Sequence, residues 1–321
     1  MSYSLAGDAL VRGSVTLARA LGIPSLVIGL TIIAFGTSAP ELVISLCSAL
    51  DGVSGIAVGN VVGSNIANVL LVLGIPALIA TTHCTERSVR KNSALLVAVS
   101  VIFTAMCTFG TLNRAMGIVL LALLGLFLFD SYREMRRHQC RRREYREGNS
   151  DNLDEDQIAE LEEFEESPGG YLVAVDFMIV GLIGLPLGGH FAVIGAFEIA
   201  RSWGVTDTAI GLTVIALGTS LPELATTVMA TLRGHSAVAL GNVLESNVFN
   251  IVAILGLTAV IVPLDVLPAI MRYDIWVMMA TTLLLAIFAF TRCRLRWPLG
   301  LALVAGYCLY IFMIFAAGKV A

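Results

Sequence analysis

GTSAPEL at 36–42 returns as GTSLPEL at 218–224, and GNVVGSNIAN at 59–68 returns as GNVLESNVFN at 241–250. Both phrases recur at the same offset of 182 residues, with no gap between the stretches Ile28–Gly74 and Ile210–Gly256. Across those stretches 24 of 47 aligned positions are identical. Each copy sets a carboxylate, Glu41 or Glu223, in the middle of an apolar run. An ionisable group at membrane depth is costly and marks a functional site by default.

That the surroundings are a membrane follows from composition. The 321 residues are 57% hydrophobic and only 14% charged, with a mean hydropathy of +0.86. Soluble domains carry about 25% charged residues. Apolar runs long enough to cross a bilayer as helix, about 17–25 residues, are read near 25–49, 56–80, 93–109, 115–132, 171–200, 207–232, 238–262, 273–291 and 297–317, with a shorter candidate near 2–20. The runs are continuous rather than alternating, which excludes a closed barrel. The fold class is therefore an all-α integral membrane protein of two repeats, each of five transmembrane helices.

Five spans per repeat is an odd number, so the second copy enters the membrane upside down. Inverted repeats bring equivalent motifs together near the midplane. Arg87, Arg90 and Lys91, the run Arg133 to Arg146, and Arg292, Arg294 and Arg296 then fall on one side, expected to be the cytoplasm. The expected divisions are a first repeat at 1–132, a hydrophilic cytoplasmic linker at 133–169, basic then acidic, and a second repeat at 171–321. The basic part of the linker is also a candidate contact for lipid headgroups. Met1 aligns with Ile183, about twelve residues into the apolar sequence that opens the second half, so the first helix is read as truncated. Asp8, Arg12 and Arg19 interrupt that opening segment too often for a cleavable signal peptide.

The polar residues of the motif suit a cation. Proline removes a backbone donor and opens the helix, and Gly36 or Gly218 eases the break. Carbonyls of Ala34 and Thr37, or Ala216 and Thr219, are expected to face the polar centre, which membranes tolerate only beside an ion site or cavity. Ser38 and Ser220 add hydroxyls; Glu41 and Glu223 add charge. Carboxylates, carbonyls and hydroxyls are the ligand set of a hard cation such as Ca²⁺. The next span brings Ser64 and Asn68, four apart on one face, and its copy brings Ser246 and Asn250. Asn65 and Asn247 are expected to brace the broken helix. Gly59, Asn60, Gly241 and Asn242 are read as cap and close packing. Two such carboxylates out of water demand compensating cations, and a carrier that returns only when reloaded is an exchanger.

The other residue patterns carry no chemistry. The six cysteines at 47, 84, 107, 140, 293 and 308 show no paired spacing, so no disulfide or cysteine metal site is assigned. A hydrolase would need a nucleophile with a positioned base, and none of the four histidines, at 83, 138, 190 and 235, falls in a motif. The chain is expected to be no enzyme, to need no cofactor, and to contact the lipid bilayer and no nucleic acid. Its oligomeric state is left open.

At these motifs the chain resembles the cation/Ca²⁺ exchanger superfamily, in particular its prokaryotic sodium/calcium antiporter branch. The resemblance spans nearly the whole chain and all four motifs in order. It implies Ca²⁺/Na⁺ antiport by alternating access at the plasma (inner) membrane, with H⁺-coupled exchange or another divalent ion such as Mn²⁺ as the alternative. Carried over by motif, Glu41, Glu223, Thr37 and Thr219 would hold Ca²⁺. Ala34, Ser38, Ser64, Ala216, Ser220 and Ser246 would form the flanking Na⁺ sites, with Asn68 and Asn250 at the middle. Many relatives, including K⁺-dependent ones, have Asp at the position of Asn250, so Asn there argues against K⁺ co-transport. Glu245 stands where the first copy has Gly63 and the family usually has glycine; it is a candidate cation ligand or proton site, or else it simply points into a polar seam.

Overall fold

The computed structural model describes residues 8–13, 16–17, 34–83, 87–146, 175–180, 183–184 and 215–318. In the first half these form α1 (Ala34–Thr37), α2 (Ala39–Leu50), α3 (Ser54–Ala67), α4 (Gly74–Ile79), β1 (Thr82–His83), α5 (Arg87–Cys107), β2 (Thr111–Leu112) and α6 (Arg114–Arg146). The second half repeats the order as α7 (Ala216–Thr219), α8 (Leu221–Leu232), α9 (Ser236–Phe249), α10 (Gly256–Ile261), β3 (Leu264–Asp265), α11 (Ile275–Phe290), β4 (Arg294–Leu295) and α12 (Trp297–Gly318). A π-helical segment joins α3 to α4 (Asn68–Val72) and another joins α9 to α10 (Asn250–Leu255), at equivalent places. Six helical stretches among the described residues are long and apolar enough to span a membrane. Most of the expected first span near 2–20, most of that near 171–200, and the opening residues of those near 25–49 and 207–232 lie outside the described residues, and so does the reading that the first helix is truncated.

The repeated proline acts as the sequence predicts. Pro40 and Pro222 stand in the first turn of α2 and α8, where a missing N–H costs nothing. The chain leaves helical geometry just before them, with ψ near zero at Ser38 (φ −83, ψ 3) and Ser220 (φ −80, ψ 1). Each motif thus makes a short turn, a break and a new helix.

Two small strand pairs establish the relation between the halves. β1 pairs with β4, and β2 pairs with β3, both antiparallel. β1 follows α4, and β2 lies one membrane-length helix further on, beyond α5, so the two pairs sit at opposite ends of the molecule. α3 starts against β3, where the Asp265 amide donates to Ser54 Oγ at 3.3 Å, and runs towards β1. α9 starts near β1 and runs towards β3. The two central helices therefore point in opposite directions, and the repeats are inverted. Arg90, Lys91, Arg233 and Arg292 gather at the β1–β4 end, called here the basic end.

The halves also exchange partners. α6 packs on α10, and α12 packs on α4. Both crossings are backbone-close and glycine-lined: a Cβ on Gly117 would meet Gly256 O at 2.8 Å, and one on Gly300 would meet Gly74 O at 2.7 Å. Small residues let transmembrane helices approach where no hydrophobic effect drives them together. The result buries α3 on all sides, with every residue from Ala57 to Ala67 inside. A separate cluster joins Leu10, Val11 and Leu17 to Met178, Ala230, Val238 and Ala239, and Asp8 pairs with Arg12 and Arg233. α6 runs on to Arg146, so the basic stretch that follows its apolar part continues as helix.

Candidate cation-binding site

The site forms where the two helix breaks meet α3 and α9. Asn60 and Ser64 of α3 and Asn68, which opens the π-helical segment after it, follow one another at four-residue spacing and make one stripe; Asn242, Ser246 and Asn250 do the same along α9 and into its π-helical segment. Glu41 and Glu223 are fully buried, and they lie close enough for their charges to repel directly. Ser38 donates to Glu223 Oε1 at 3.3 Å. Thr37 also lies beside Glu223, and Thr219 beside Glu41, so each break serves the carboxylate of the other half.

Side-chain amides hold this geometry with two-fold regularity. Asn60 Nδ2 donates to the Glu41 carbonyl at 3.3 Å and to Ser45 Oγ at 3.0 Å. Asn242 Nδ2 donates to the Glu223 carbonyl and Thr227 Oγ1 at the same two distances. Each asparagine thereby pins the first turn of the helix that carries the glutamate. At the crossing, Asn65 Nδ2 donates to Asn247 O at 3.2 Å and Asn247 Nδ2 to Asn65 O at 3.4 Å. Asn68 Nδ2 then holds Asn247 Oδ1 (3.0 Å), and Asn250 Nδ2 holds Asn65 Oδ1 (3.1 Å).

Two sequence-based expectations are corrected here. Asn60 and Asn242 are neither caps nor packing; they brace the broken helices. Asn65 and Asn247 do not brace those helices; they tie α3 to α9. A signal for the first role was present in the sequence. All positions from 43 to 49 differ between the copies, yet Ser45 and Thr227 keep a hydroxyl four residues after each glutamate. Ala216 O is less open than anticipated, because it accepts from the Ser220 amide (3.1 Å), Thr219 Oγ1 (3.2 Å) and Ser64 Oγ (3.5 Å).

The remaining polar atoms define what the site can do. Glu41 Oε1 and Oε2, Glu223 Oε2, Ser220 Oγ, Ser246 Oγ, and the Oδ1 atoms of Asn68 and Asn250 are buried with no hydrogen-bond partner. Each such atom costs about 1–3 kcal/mol if left alone. All carry lone pairs and most cannot donate, which is the donor set of a hard cation. Thr37, Ser38, Ser64 and Thr219 are buried among them, and Ala34 lies on α1. Glu245 is equally buried, its oxygens have no hydrogen-bond partner, and the charge of Glu134 on α6 reaches it.

The sequence profile described as sodium/calcium exchanger protein matches residues 2–133 and 173–316, on both sides of the basic and acidic stretch. The chain belongs to the sodium/calcium exchanger family. Inner membrane protein YrbG of Escherichia coli (strain K12) is 35% identical over 96% of this chain and 92% of its own length. Sodium/calcium exchanger MaX1 of Methanosarcina acetivorans is 31% identical over 96% of this chain and 94% of its own. The solved sodium-calcium exchanger NCX_Mj, soaked with Na⁺ and Sr²⁺, superposes with a TM-score of 0.77 at 27% identity, covering 96% of this chain and 93% of that one. As an exchanger of this family the protein is a multi-pass membrane cation antiporter, and its relatives are transporters rather than enzymes.

Proposed function

We propose that the protein exchanges Ca²⁺ for Na⁺ across the plasma (inner) membrane. The observation that carries this reading is the central pair Glu41 and Glu223, three of whose four oxygens have no protein partner. Two carboxylates this close and out of water require positive charge between them. One Ca²⁺ or two Na⁺ supply the same charge, so the same centre accepts either load in turn and disfavours crossing empty. In this reading Glu41, Glu223, Thr37 and Thr219 bind Ca²⁺. Na⁺ takes flanking positions made by Ala34, Ser38 and Ser246 and by Ala216, Ser220 and Ser64, and Asn68 and Asn250 offer amide oxygens in the middle.

The basic end faces the cytoplasm under the positive-inside rule, which places the 133–169 linker there between a first repeat at 1–132 and a second at 171–321. The names of MaX1 and NCX_Mj as sodium/calcium exchangers support the choice of ions.

Vesicles loaded with Na⁺ are expected to accumulate radioactive Ca²⁺ when diluted into Na⁺-free medium, and Glu41→Gln or Glu223→Gln to reduce uptake to background. Full-rate uptake without Na⁺ would overturn the coupling. Uptake driven instead by a pH jump, or Mn²⁺ preferred over Ca²⁺, would replace Na⁺ or Ca²⁺ in the assignment.

A further inference from the structure

Glu245 is absent from the symmetric design. The stripe of Asn242, Ser246 and Asn250 faces the central carboxylates, and Glu245 lies about 100° round α9 from Ser246. Its first-half counterpart is Gly63, so nothing equivalent exists across the pseudo-two-fold axis. The side chain is fully buried, and neither carboxylate oxygen has a hydrogen-bond partner.

Among the described residues, the charge that reaches Glu245 has the same sign. Glu134 of α6 is the charged group that reaches it. Lys91 of α5 pairs with Glu134 at 2.9 Å and also with Asp130. One lysine thus serves two acids already, and Glu245 gains no share of it. Glu134, Lys91 and Asp130 are partly exposed, with 28–47% of each side chain open.

A buried carboxylate in the field of a second one is neutralised either by a proton or by a cation of its own. Divalent ions favour several carboxylates, and among the described residues no three of His, Cys, Asp or Glu come together. The charge available at Glu245 suits a monovalent ion. We propose that Glu245 holds one Na⁺, separate from those of the central site and on its basic-end side, so that each cycle carries one Na⁺ more than the symmetric centre alone. This rests on the antiport reading above.

Two measurements test it, on purified full-length protein. Saturating radioactive Na⁺ counts bound ions per chain, and proteoliposomes give the coupling exponent from the Na⁺ gradient that just balances a set Ca²⁺ gradient. Glu245→Gln is expected to lower both numbers by one while still exchanging. Glu245→Gly, which installs the residue of the first half, should do the same and serves if the glutamine variant folds poorly. An unchanged value in either measurement overturns the proposal, and so does a coupled H⁺ flux that the wild type shows and both variants lose. If the wild type exchanges no Ca²⁺ for Na⁺, the functional reading fails, and the binding count alone still decides the role of Glu245.

Discussion

Asn65 and Asn247 each donate to the other's backbone carbonyl and accept from Asn250 or Asn68. Asn65→Ala therefore strips partners from buried groups on both central helices, at about 1–3 kcal/mol for each group left unpaired. The expected result is a clear drop in thermal stability in detergent. Asn65→Ala/Asn247→Ala should cost less than the two singles combined, because the four amides form one network. Glu41→Gln behaves in the opposite way. It removes one of two mutually repelling charges, so unliganded stability should hold or rise. Ca²⁺, which should raise the melting temperature of the wild type by binding the folded state, should leave this variant unmoved. A Ca²⁺-dependent shift equal to that of the wild type would count against Glu41 as a ligand.

Helix crossings offer a sharper test than single side chains. Gly300 of α12 meets Gly74 of α4 backbone to backbone, and Gly117 of α6 meets Gly256 of α10 in the same way. Gly300→Leu or Gly117→Leu must push two helices apart, and overpacking of this kind costs about 1–3 kcal/mol or more. Both should lower the melting temperature and the yield of monodisperse protein. Gly125 lies on the same helix as Gly117, but a Cβ there would meet nothing within 4 Å. Gly125→Ala should be neutral or stabilising by up to about 1 kcal/mol, the helix preference of alanine over glycine. Equal damage from both substitutions would mean that α6 is merely intolerant of change. The π-helical segments recur just past Ser64 and Ser246 in both halves, a placement typical of functional sites. Pro76 follows the first of them, but Thr258 occupies the matching place in the second, so the missing donor of a proline does not explain both.

For the molecule as a whole, the inverted arrangement predicts sidedness. In a background without the six native cysteines, cysteine at Asp51 or Arg114 should be labelled by an impermeant thiol reagent from one side of the membrane. Cysteine at Thr81 or Thr291 should be labelled from the other. All four positions are exposed and lie at the loop ends. Labelling of all four from one side would disprove the inversion. The cytoplasmic reading adds that Thr81 and Thr291 are the inner pair. The extension of α6 to Arg146 gives the basic end a helix that continues the line of a transmembrane span past its apolar part.

The repeat and the apolar runs were readable from residue order, because each depends only on what neighbours in the chain are. Hydrophobic length dictates a span, proline dictates a break, and a duplicated register dictates symmetry. The same reasoning singled out Glu41, Glu223 and the four-spaced Ser64 and Asn68 with their copies as candidates, all of them buried in the fold. Pairings between distant segments were beyond it. That Asn60 pins Glu41 while Asn65 reaches across to Asn247 depends on the rotation of α3 against α2 and α9, and adjacent asparagines look alike in sequence. The exchange of α6 and α12 between halves, and the burial of Glu245 within reach of the Glu134 charge, depend equally on how helices cross. Packing of backbone against backbone at the glycines sets those crossings, and only the folded chain has them.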